Sequence, residues 1–231
     1  MKKLIGIVPS ANLFETDDIY QDRYYFINNY PKRIAKNGGI PIGLLADDGY
    51  AFTDALNQVD ALLICGGKRI LPYQFQAVEY AIENNKPILG ICLGMQLIHI
   101  YFTVRDEAER RAFEGSKLEL FEIMKKEKYM FTKPVEHHWD VHMVRGFEDK
   151  TKHLVNVKND TMLHSLLKRD TIYGASMHNY MINNPSARLC ISAYAEDGTT
   201  EAIEYGDKIL GVQFHPEIDD DFAPLFQFLT K

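Results

Sequence analysis

The amino-acid sequence predicts an α/β protein with a mostly parallel central sheet, because two patterns agree in its first hundred residues. Short apolar runs alternate with longer segments whose apolar residues recur at helical spacing, which is the pattern of consecutive βα units. The predicted strands are residues 4–8, 40–45, 61–65 and 87–92, and the predicted helices are 22–36, 51–58 and 72–85. The glycine pair Gly38-Gly39 supplies the stop expected after the first helix.

The second half of the chain predicts strands joined by turns rather than by helices. Its apolar and β-branched runs are separated by turn dipeptides such as Asp197-Gly198 and Gly206-Asp207. The predicted strands are 142–144, 153–157, 171–175, 188–195, 200–205 and 209–214, and a helix over 219–230 with acidic first residues follows them. The highly charged segment 103–133 fits neither pattern and predicts a solvated surface helix or mobile loop.

Length and composition limit the class of protein. A chain of 231 residues, 46% hydrophobic and 25% charged, fits one globular domain over residues 1–231. Its net charge of −6 gives no long-range attraction to phosphate backbones or anionic membranes, so neither is expected as a partner. The cysteines are too few and odd in number for a disulfide framework, which favours reduced thiols in a cytoplasmic protein. The apolar run at 4–8 is too short for a signal peptide.

The most informative motif is Gly90-x-Cys92-x-Gly94, at the junction of a predicted buried strand and an amphipathic helix. A sharp turn there would hold the cysteine exposed and strained, and the glycines avoid a clash within the turn. The positive end of the helix dipole favours the reactive thiolate. The backbone N–H groups of Leu93 and of Gly67, in the loop after the preceding strand, are candidate oxyanion donors. Alone, the pentapeptide fits a buried structural cysteine equally well; its context favours a nucleophile.

A cysteine nucleophile needs a base, and His215 is the best candidate because it follows the last predicted strand. If the backbone stays extended through Pro216, the carboxylate of Glu217 falls on the imidazole side and orients the ring. A His-x-Glu pair could also bind a metal, but no third ligand has convincing spacing, so neither a metal nor a cofactor is expected. One further histidine cluster is interpreted as structural: His137, His138 and His142.

These two motifs together resemble those of the class I glutamine amidotransferases. Residues 92–96, 198–204 and 211–217 look most like the branch that hydrolyses γ-glutamyl-γ-aminobutyrate. The resemblance implies a flavodoxin-like three-layer sandwich with a nucleophile elbow. It also implies that a γ-glutamyl amide is cleaved through a thioester by the triad Cys92, His215 and Glu217, with Gly67 and Leu93 as oxyanion donors.

The same resemblance implies substrate contacts by Gln96 and by a loop containing Ser176, Met177 and His178. A loop histidine without such a contact is the alternative for His178. The sequence departs from this branch at Lys68-Arg69 and at Asn179-Tyr180, and the region after the elbow helix also differs. Because these positions shape the leaving-group side, the chemistry is better supported than the identity of the amine.

Three function classes follow, in this order. The first is a free-standing hydrolase of small γ-glutamyl amides, the second is a glutaminase subunit that passes ammonia to a separate synthetase partner, and the third is a catalytically silent binding protein on the same fold. All the triad residue types are present, which disfavours the third. A homodimer is compatible with the sequence, and segment 103–133 is an alternative candidate for a lid, since it follows the proposed nucleophile helix.

Overall fold

The computed structural model describes residues 1–135 and 151–231, apart from Phe14, Thr16 and Asp48. Its strands are β1 (Leu4–Val8), β2 (Ser10–Asn12), β3 (Arg23–Tyr25), β4 (Ile40–Gly43), β5 (Ala46–Asp47), β6 (Tyr50–Ala51), β7 (Ala61–Ile64), β8 (Ile88–Ile91), β9 (Thr132–Pro134), β10 (Lys152–Val157), β11 (Thr171–Ala175), β12 (Tyr180–Ile182), β13 (Cys190–Ala195), β14 (Thr200–Tyr205) and β15 (Ile209–Val212). The α-helices are α1 (Asn29–Lys36), α2 (Thr53–Gln58), α3 (Pro72–Glu83), α4 (Leu93–Arg111), α5 (Lys117–Lys126), α6 (Met162–Leu167) and α7 (Ala223–Thr230).

Within the described residues, nine strands form one mixed sheet in the order β11-β10-β13-β14-β15-β8-β7-β1-β4. The five strands from β15 to β4 run parallel to one another. The pairs from β11 to β15 are antiparallel. The element order confirms the predicted alternation of strand and helix in the first half. In the second half most strands follow one another without a helix, but α6 joins β10 to β11, where a turn was expected.

Helices cover both faces of this sheet and enclose two apolar clusters. One cluster packs α2, α3, α4 and α5 against the first face, around buried side chains such as Phe75, Phe102 and Phe121. The other packs α1, α6 and α7 against the second face, around Ile34, Leu163 and other buried side chains. This is the three-layer sandwich that the sequence predicts. The central parallel strands β7 and β8 are buried on both faces, as expected for strands that read as continuous apolar runs, whereas the edge strand β4 is largely exposed.

Two predicted helices begin later than expected. In the segment predicted as helix 22–36, β3 forms first and α1 starts at Asn29, while in segment 219–230 a 3-10 turn over Asp220–Phe222 precedes α7. A proline explains both starts, because Pro31 and Pro224 each lie in the first helical turn, where the missing N–H costs no hydrogen bond. An earlier start would place each proline in a helix interior. Helix α6 is an element that the sequence patterns did not predict.

Segment 103–133 is folded onto the core rather than being a free loop. It contributes the end of α4, all of α5 and the start of β9, which pairs with β12. A capping box begins α5, since Ser116 Oγ accepts from the N–H of Glu119 and the Glu119 carboxylate accepts from the N–H of Ser116. Its charges lie outside in ion pairs, for example Arg111 with Glu107. A lid function stays a prediction.

Some predictions lie outside the described residues. They are the strand 142–144 and the histidine cluster His137, His138 and His142. Among the helices described, none has the length and apolar composition needed to cross a bilayer.

Candidate active site

The candidate site lies where three neighbouring parallel strands end. β8 pairs with β7 on one side and with β15 on the other, so their carboxyl ends meet at one edge of the sheet. Gly66 and Gly67 follow β7, Cys92 follows β8, and His215 follows β15. Adjacent strands are about 4.8 Å apart, so side chains distant in sequence become neighbours here. This is the edge at which ligands bind in open α/β sheets.

Cys92 occupies a strained turn between β8 and α4. Its φ of 54° and ψ of −106° lie outside the regions that side-chain-bearing residues ordinarily adopt, and it is the N-cap residue of α4. The turn is held because the N–H of Cys92 donates to the carbonyl of Val212 at 2.8 Å. A Cβ on Gly90 would lie 2.6 Å from the backbone of Gly94, and one on Gly94 would overlap the Ile64 carbonyl. The nucleophile-elbow geometry therefore requires both glycines.

The other two cysteines lack this setting. Cys65 is fully buried, and burial, together with the negative charge of Glu217, raises the pKa of its thiol well above the ordinary value. Cys190 is exposed at the start of β13. Only Cys92 combines a strained turn with a helix N-terminus.

His215 and Glu217 form a buried hydrogen-bonded pair. The Nδ1 of His215 donates to the Glu217 carboxylate at 2.7 Å, and Glu217 is fully buried. Burial by itself lowers the pKa of the imidazole, but the charge of Glu217 and the neighbouring Cys92 outweigh it and hold that pKa well above its usual value. The backbone reaches Glu217 through a 3-10 turn over Pro216–Ile218 rather than the extended path expected from the sequence. The pairing survives this difference.

Gly66 lies between the cysteine and the imidazole. A Cβ at Gly66 would be 3.1 Å from His215 Cε1 and 3.4 Å from Cys92 Cβ, so the two side chains approach one point from either side. The N–H of Gly66 donates to the hydroxyl of Tyr30 at 3.2 Å, and its carbonyl accepts from Ser10 Oγ at 2.7 Å. These contacts fix the loop that carries the next amide, that of Gly67.

Gly67 and Leu93 lie against each other beside the elbow. The Cβ position of Gly67 is 3.1 Å from Leu93 Cδ2 and also overlaps the side chain of Ser10. A glycine is therefore needed for this close approach. The structure places the two predicted oxyanion donors on neighbouring segments, one after β7 and one at the first turn of α4.

Of the predicted substrate-binding residues, Gln96 lies one helical turn beyond the cysteine, and Ser176, Met177 and His178 lie in the loop after β11. Gln96 Nε2 donates to the carbonyl of Tyr180 at 3.0 Å and to the side-chain oxygen of Gln213 at 3.1 Å. Ser176 and His178 are buried, whereas Met177 is 36% exposed. The Nδ1 of His178 donates to the same carbonyl of Tyr180 at 3.1 Å. Gln96 and the loop of Ser176 and His178 thus share one backbone acceptor.

A cleft of about 500 Å³ opens beside Leu93 and Gln96. Segment 103–133 forms one wall, and the lining is largely apolar and aromatic: Ile70, Ile100, Phe121, Tyr129, Met130, Phe131 and Tyr180. Lys68 and Lys125 also line the cleft. Lys125 is paired with Glu122, while Arg69, the neighbour of Lys68, pairs with Glu15. Lys68 is the cation that the cleft offers beside Leu93.

A polar cluster next to this site was missed by the sequence reasoning. His178 Nε2 lies 3.5 Å from Glu201 Oε1, and His153 Nε2 lies 3.7 Å from the same oxygen. His153, His178 and Glu201 come from separate elements, so their spacing in the sequence does not indicate that they meet. The one available signal is an acid, Glu201, within a strand whose neighbours are apolar or small.

Comparison with known proteins bears on the family and the fold of the chain. The Peptidase C26 family model matches residues 3–79 and 73–217. A glutamine amidotransferase-like protein of Rickettsia prowazekii is 28% identical, with 100% of this chain and 97% of that protein covered. A CTP synthase of Thermosipho africanus is 32% identical over 76% of this chain, which spans only 36% of that enzyme. The glutaminase domain of Trypanosoma brucei CTPS, solved with bound acivicin, has a TM-score of 0.66 at 18% identity, with 98% of this chain and 91% of that chain covered.

Fold and relatives place the chain in the class I glutamine amidotransferase superfamily, as the sequence motifs predict, and this supports an enzyme of hydrolase type. Within that superfamily, the chain belongs to the Peptidase C26 family, whose model spans both the elbow and the His-Pro-Glu motif. The predicted flavodoxin-like three-layer fold is confirmed.

Proposed function

We propose that this protein hydrolyses the amide bond of a small γ-glutamyl compound, with Cys92 as nucleophile. The observation that carries the proposal is the convergence at Gly66: a cysteine on a strained elbow and a histidine paired with a buried carboxylate approach the same point. A thiol, a base and a group that orients the base are the components of a cysteine-hydrolase triad.

In the first half-reaction, His215 takes the thiol proton and Cys92 Sγ attacks the γ-carbonyl carbon. The electron pair of the carbonyl moves onto oxygen, where the N–H groups of Gly67 and Leu93 stabilise the negative charge. The C–N bond then breaks, and Nε2 of His215 gives its proton to the departing amine. The raised pKa of His215 supports this role, because it favours the protonated ring that must serve as the acid. A γ-glutamyl thioester remains on Cys92.

In the second half-reaction, His215 removes a proton from water, which attacks the thioester carbonyl. Glutamate leaves and the thiol is restored, so that one amide and one water give glutamate and one amine. Glu217 keeps the imidazole in one orientation throughout, through its 2.7 Å hydrogen bond to Nδ1. Substrate positioning by Gln96 and by the loop of Ser176, Met177 and His178 remains part of the proposal. Both ring nitrogens of His178 face protein atoms, which favours an indirect role.

The cleft beside Leu93 and Gln96 is the proposed site of the leaving amine. Its walls are apolar and aromatic, and Lys68 provides a cation. An amine with an aliphatic or aromatic body and an acidic group fits this lining, because a lysine forms charge-assisted hydrogen bonds with a carboxylate.

A glutaminase that supplies ammonia to a separate synthetase is the second candidate. The similarity to CTP synthases and to a CTPS glutaminase domain favours it, since in those proteins the matched region is only part of a longer chain or a domain of it. A catalytically silent binding protein is the third class and stays a prediction from the sequence, as does a homodimer.

Amine release by the isolated protein tests the proposal. Turnover of γ-glutamyl-γ-aminobutyrate without a partner, lost in Cys92→Ala and carried by a γ-glutamyl thioester seen by mass spectrometry, is the expected result. A Lys68→Ala variant should raise KM about 10–100-fold for this substrate and leave glutamine unaffected, as loss of one charge-assisted hydrogen bond predicts. Full activity of Cys92→Ala would refute the mechanism. Turnover of glutamine alone, and only with a synthetase present, would favour the second candidate.

A further inference from the structure

A compact cluster of two histidines and a glutamate lies next to the candidate active site, and two of its members, His153 and Glu201, have no role in the proposed reaction. His153 belongs to β10, His178 to the loop after β11, and Glu201 to β14. Their ligand-type atoms all lie within 4.8 Å of one another. Glu201 is fully buried, His178 is nearly so, and His153 is half-buried. A buried carboxylate is costly unless a positive charge lies beside it.

Hydrogen bonds from Nδ1 to backbone carbonyls fix the orientation of the two imidazole rings. Nδ1 of His178 is 3.1 Å from the carbonyl oxygen of Tyr180, and Nδ1 of His153 is 3.2 Å from that of Leu154. A carbonyl oxygen only accepts, so each Nδ1 carries the proton, and in the neutral rings Nε2 has the lone pair. Both Nε2 atoms approach Glu201. A histidine that binds a metal through Nε2 usually donates its Nδ1–H to such a carbonyl.

The distances separate a metal site from a simple hydrogen-bonded cluster. The Nε2 to Oε1 separations of 3.5 and 3.7 Å are longer than ordinary N–H···O hydrogen bonds, which measure about 2.7–3.2 Å. Ligands bound about 2.0–2.2 Å from a tetrahedral zinc ion lie roughly 3.3–3.6 Å from one another. The two histidine–glutamate separations are therefore closer to the spacing of ligands around a cation than to the length of a hydrogen bond.

We propose that His153, His178 and Glu201 bind one divalent metal ion of the zinc class. Two imidazole nitrogens and one carboxylate suit such an ion, with a fourth position left for water. This reverses the expectation from the sequence that the protein has no metal site. The ion would tie β10 and β14 to the loop after β11. Through the Tyr180 carbonyl, shared by His178 and Gln96, it would also fix the side chain of Gln96 beside the active site.

Metal binding is measured best in a Cys92→Ala background, because the catalytic thiol could itself bind zinc. Chelator-treated protein is titrated with Co²⁺, whose visible absorption reports a tetrahedral site, and the cobalt is then displaced with Zn²⁺ followed by calorimetry. One equivalent per chain is expected. Two variants, His153→Ala and the nearly isosteric Glu201→Gln, should lose more than the roughly 100-fold in affinity that loss of a merely orienting residue costs. The matched control is His164→Ala, which removes a histidine of α6 that pairs with Asp170 outside the cluster.

The outcomes decide whether the three residues bind a metal ion. Retention of one equivalent by His164→Ala and its loss from both cluster variants, each folded by circular dichroism, supports the site. Absence of Co²⁺ and Zn²⁺ binding in the parent protein would overturn the proposal. Undiminished binding by Glu201→Gln would overturn it as well, since the ion would then lie elsewhere. None of these readouts depends on catalytic activity.

Discussion

Replacement of Gly90 by alanine tests the elbow directly. The new Cβ would lie 2.6 Å from the backbone C and O atoms of Gly94 and 2.7 Å from Ile98 Cδ1. Reaching an ordinary contact distance of 3.4 Å requires the first turn of α4 to move by about 0.8 Å away from β8. Since Cys92 and Leu93 begin that turn, the nucleophile and one oxyanion donor move with it. Overpacking of this kind costs about 1–3 kcal/mol of unfolding free energy.

That loss is smaller than the roughly 5–15 kcal/mol by which domains are stable, so Gly90→Ala should remain folded. A displacement near 1 Å costs on the order of 100-fold in catalysis, and we expect kcat/KM to fall by about that factor. The assay is steady-state amine release beside urea unfolding of the same preparation. The control is Gly43→Ala on edge strand β4, whose nearest neighbour would be Phe26 at 3.9 Å and which should match the wild type. Wild-type kcat/KM and stability in Gly90→Ala would refute the reasoning.

Two further predictions concern ionisable groups. Glu217→Gln removes the charge that raises the pKa of His215, so the pKa of the ring should fall, and kcat/KM should drop about 10²–10⁴-fold with a shifted acid limb in its pH profile; an unchanged profile would contradict the pairing. His99 is buried, and burial lowers its pKa to about 4, opposed by its hydrogen bond to the Phe131 carbonyl. In the unfolded chain the His99 imidazole binds a proton below about pH 6.5, whereas in the folded chain it stays neutral down to about pH 4. The free energy of unfolding therefore falls as the pH is lowered from 6.5 to 4. Wild type should therefore lose about 3 kcal/mol more than His99→Gln in urea unfolding between these pH values, and parallel losses would exclude His99 as the cause.

Local signals were sufficient for the parallel half of the fold and the elbow. Strands β1, β7 and β8 are continuous apolar runs because both their faces are covered. The glycines of the elbow could be predicted because the clash they avoid is internal to one turn. The helix predicted over 22–36 from apolar residues at helical spacing is wrong in its first half, where β3 forms. Tyr24 instead extends a hairpin, packs edge-on against Tyr73 with ring centroids 5.7 Å apart and donates to the Ala46 carbonyl. Pro31 was the signal that ruled out the longer helix.

Contacts across the antiparallel half carry no such local signature. β9 and β12 are three-residue strands that pair across a long stretch of chain, and neither is long enough to show a period. Glu204, read from the sequence as part of a family motif, accepts hydrogen bonds from the N–H groups of Met162 and Leu163 and so holds the start of an unpredicted helix, α6. The structures of β9, β12 and α6 therefore depend on contacts with distant segments and not on their own sequences.

The same sheet explains why the proposed triad was predictable and the histidine–glutamate cluster was not. Parallel strands all deliver their carboxyl ends to one edge, so a motif recognised at the end of β8 can be combined with one at the end of β15 before their distance is known. Glu201, by contrast, sits on a strand that runs antiparallel to β15, and His153 lies on β10, two strands further along the sheet. Residues on these antiparallel strands lie side by side only when the registers of the strand pairs bring them to the same level of the sheet. Register is set by pairing across the whole sheet, so His153 and Glu201 become a candidate site only when β10, β13 and β14 are aligned.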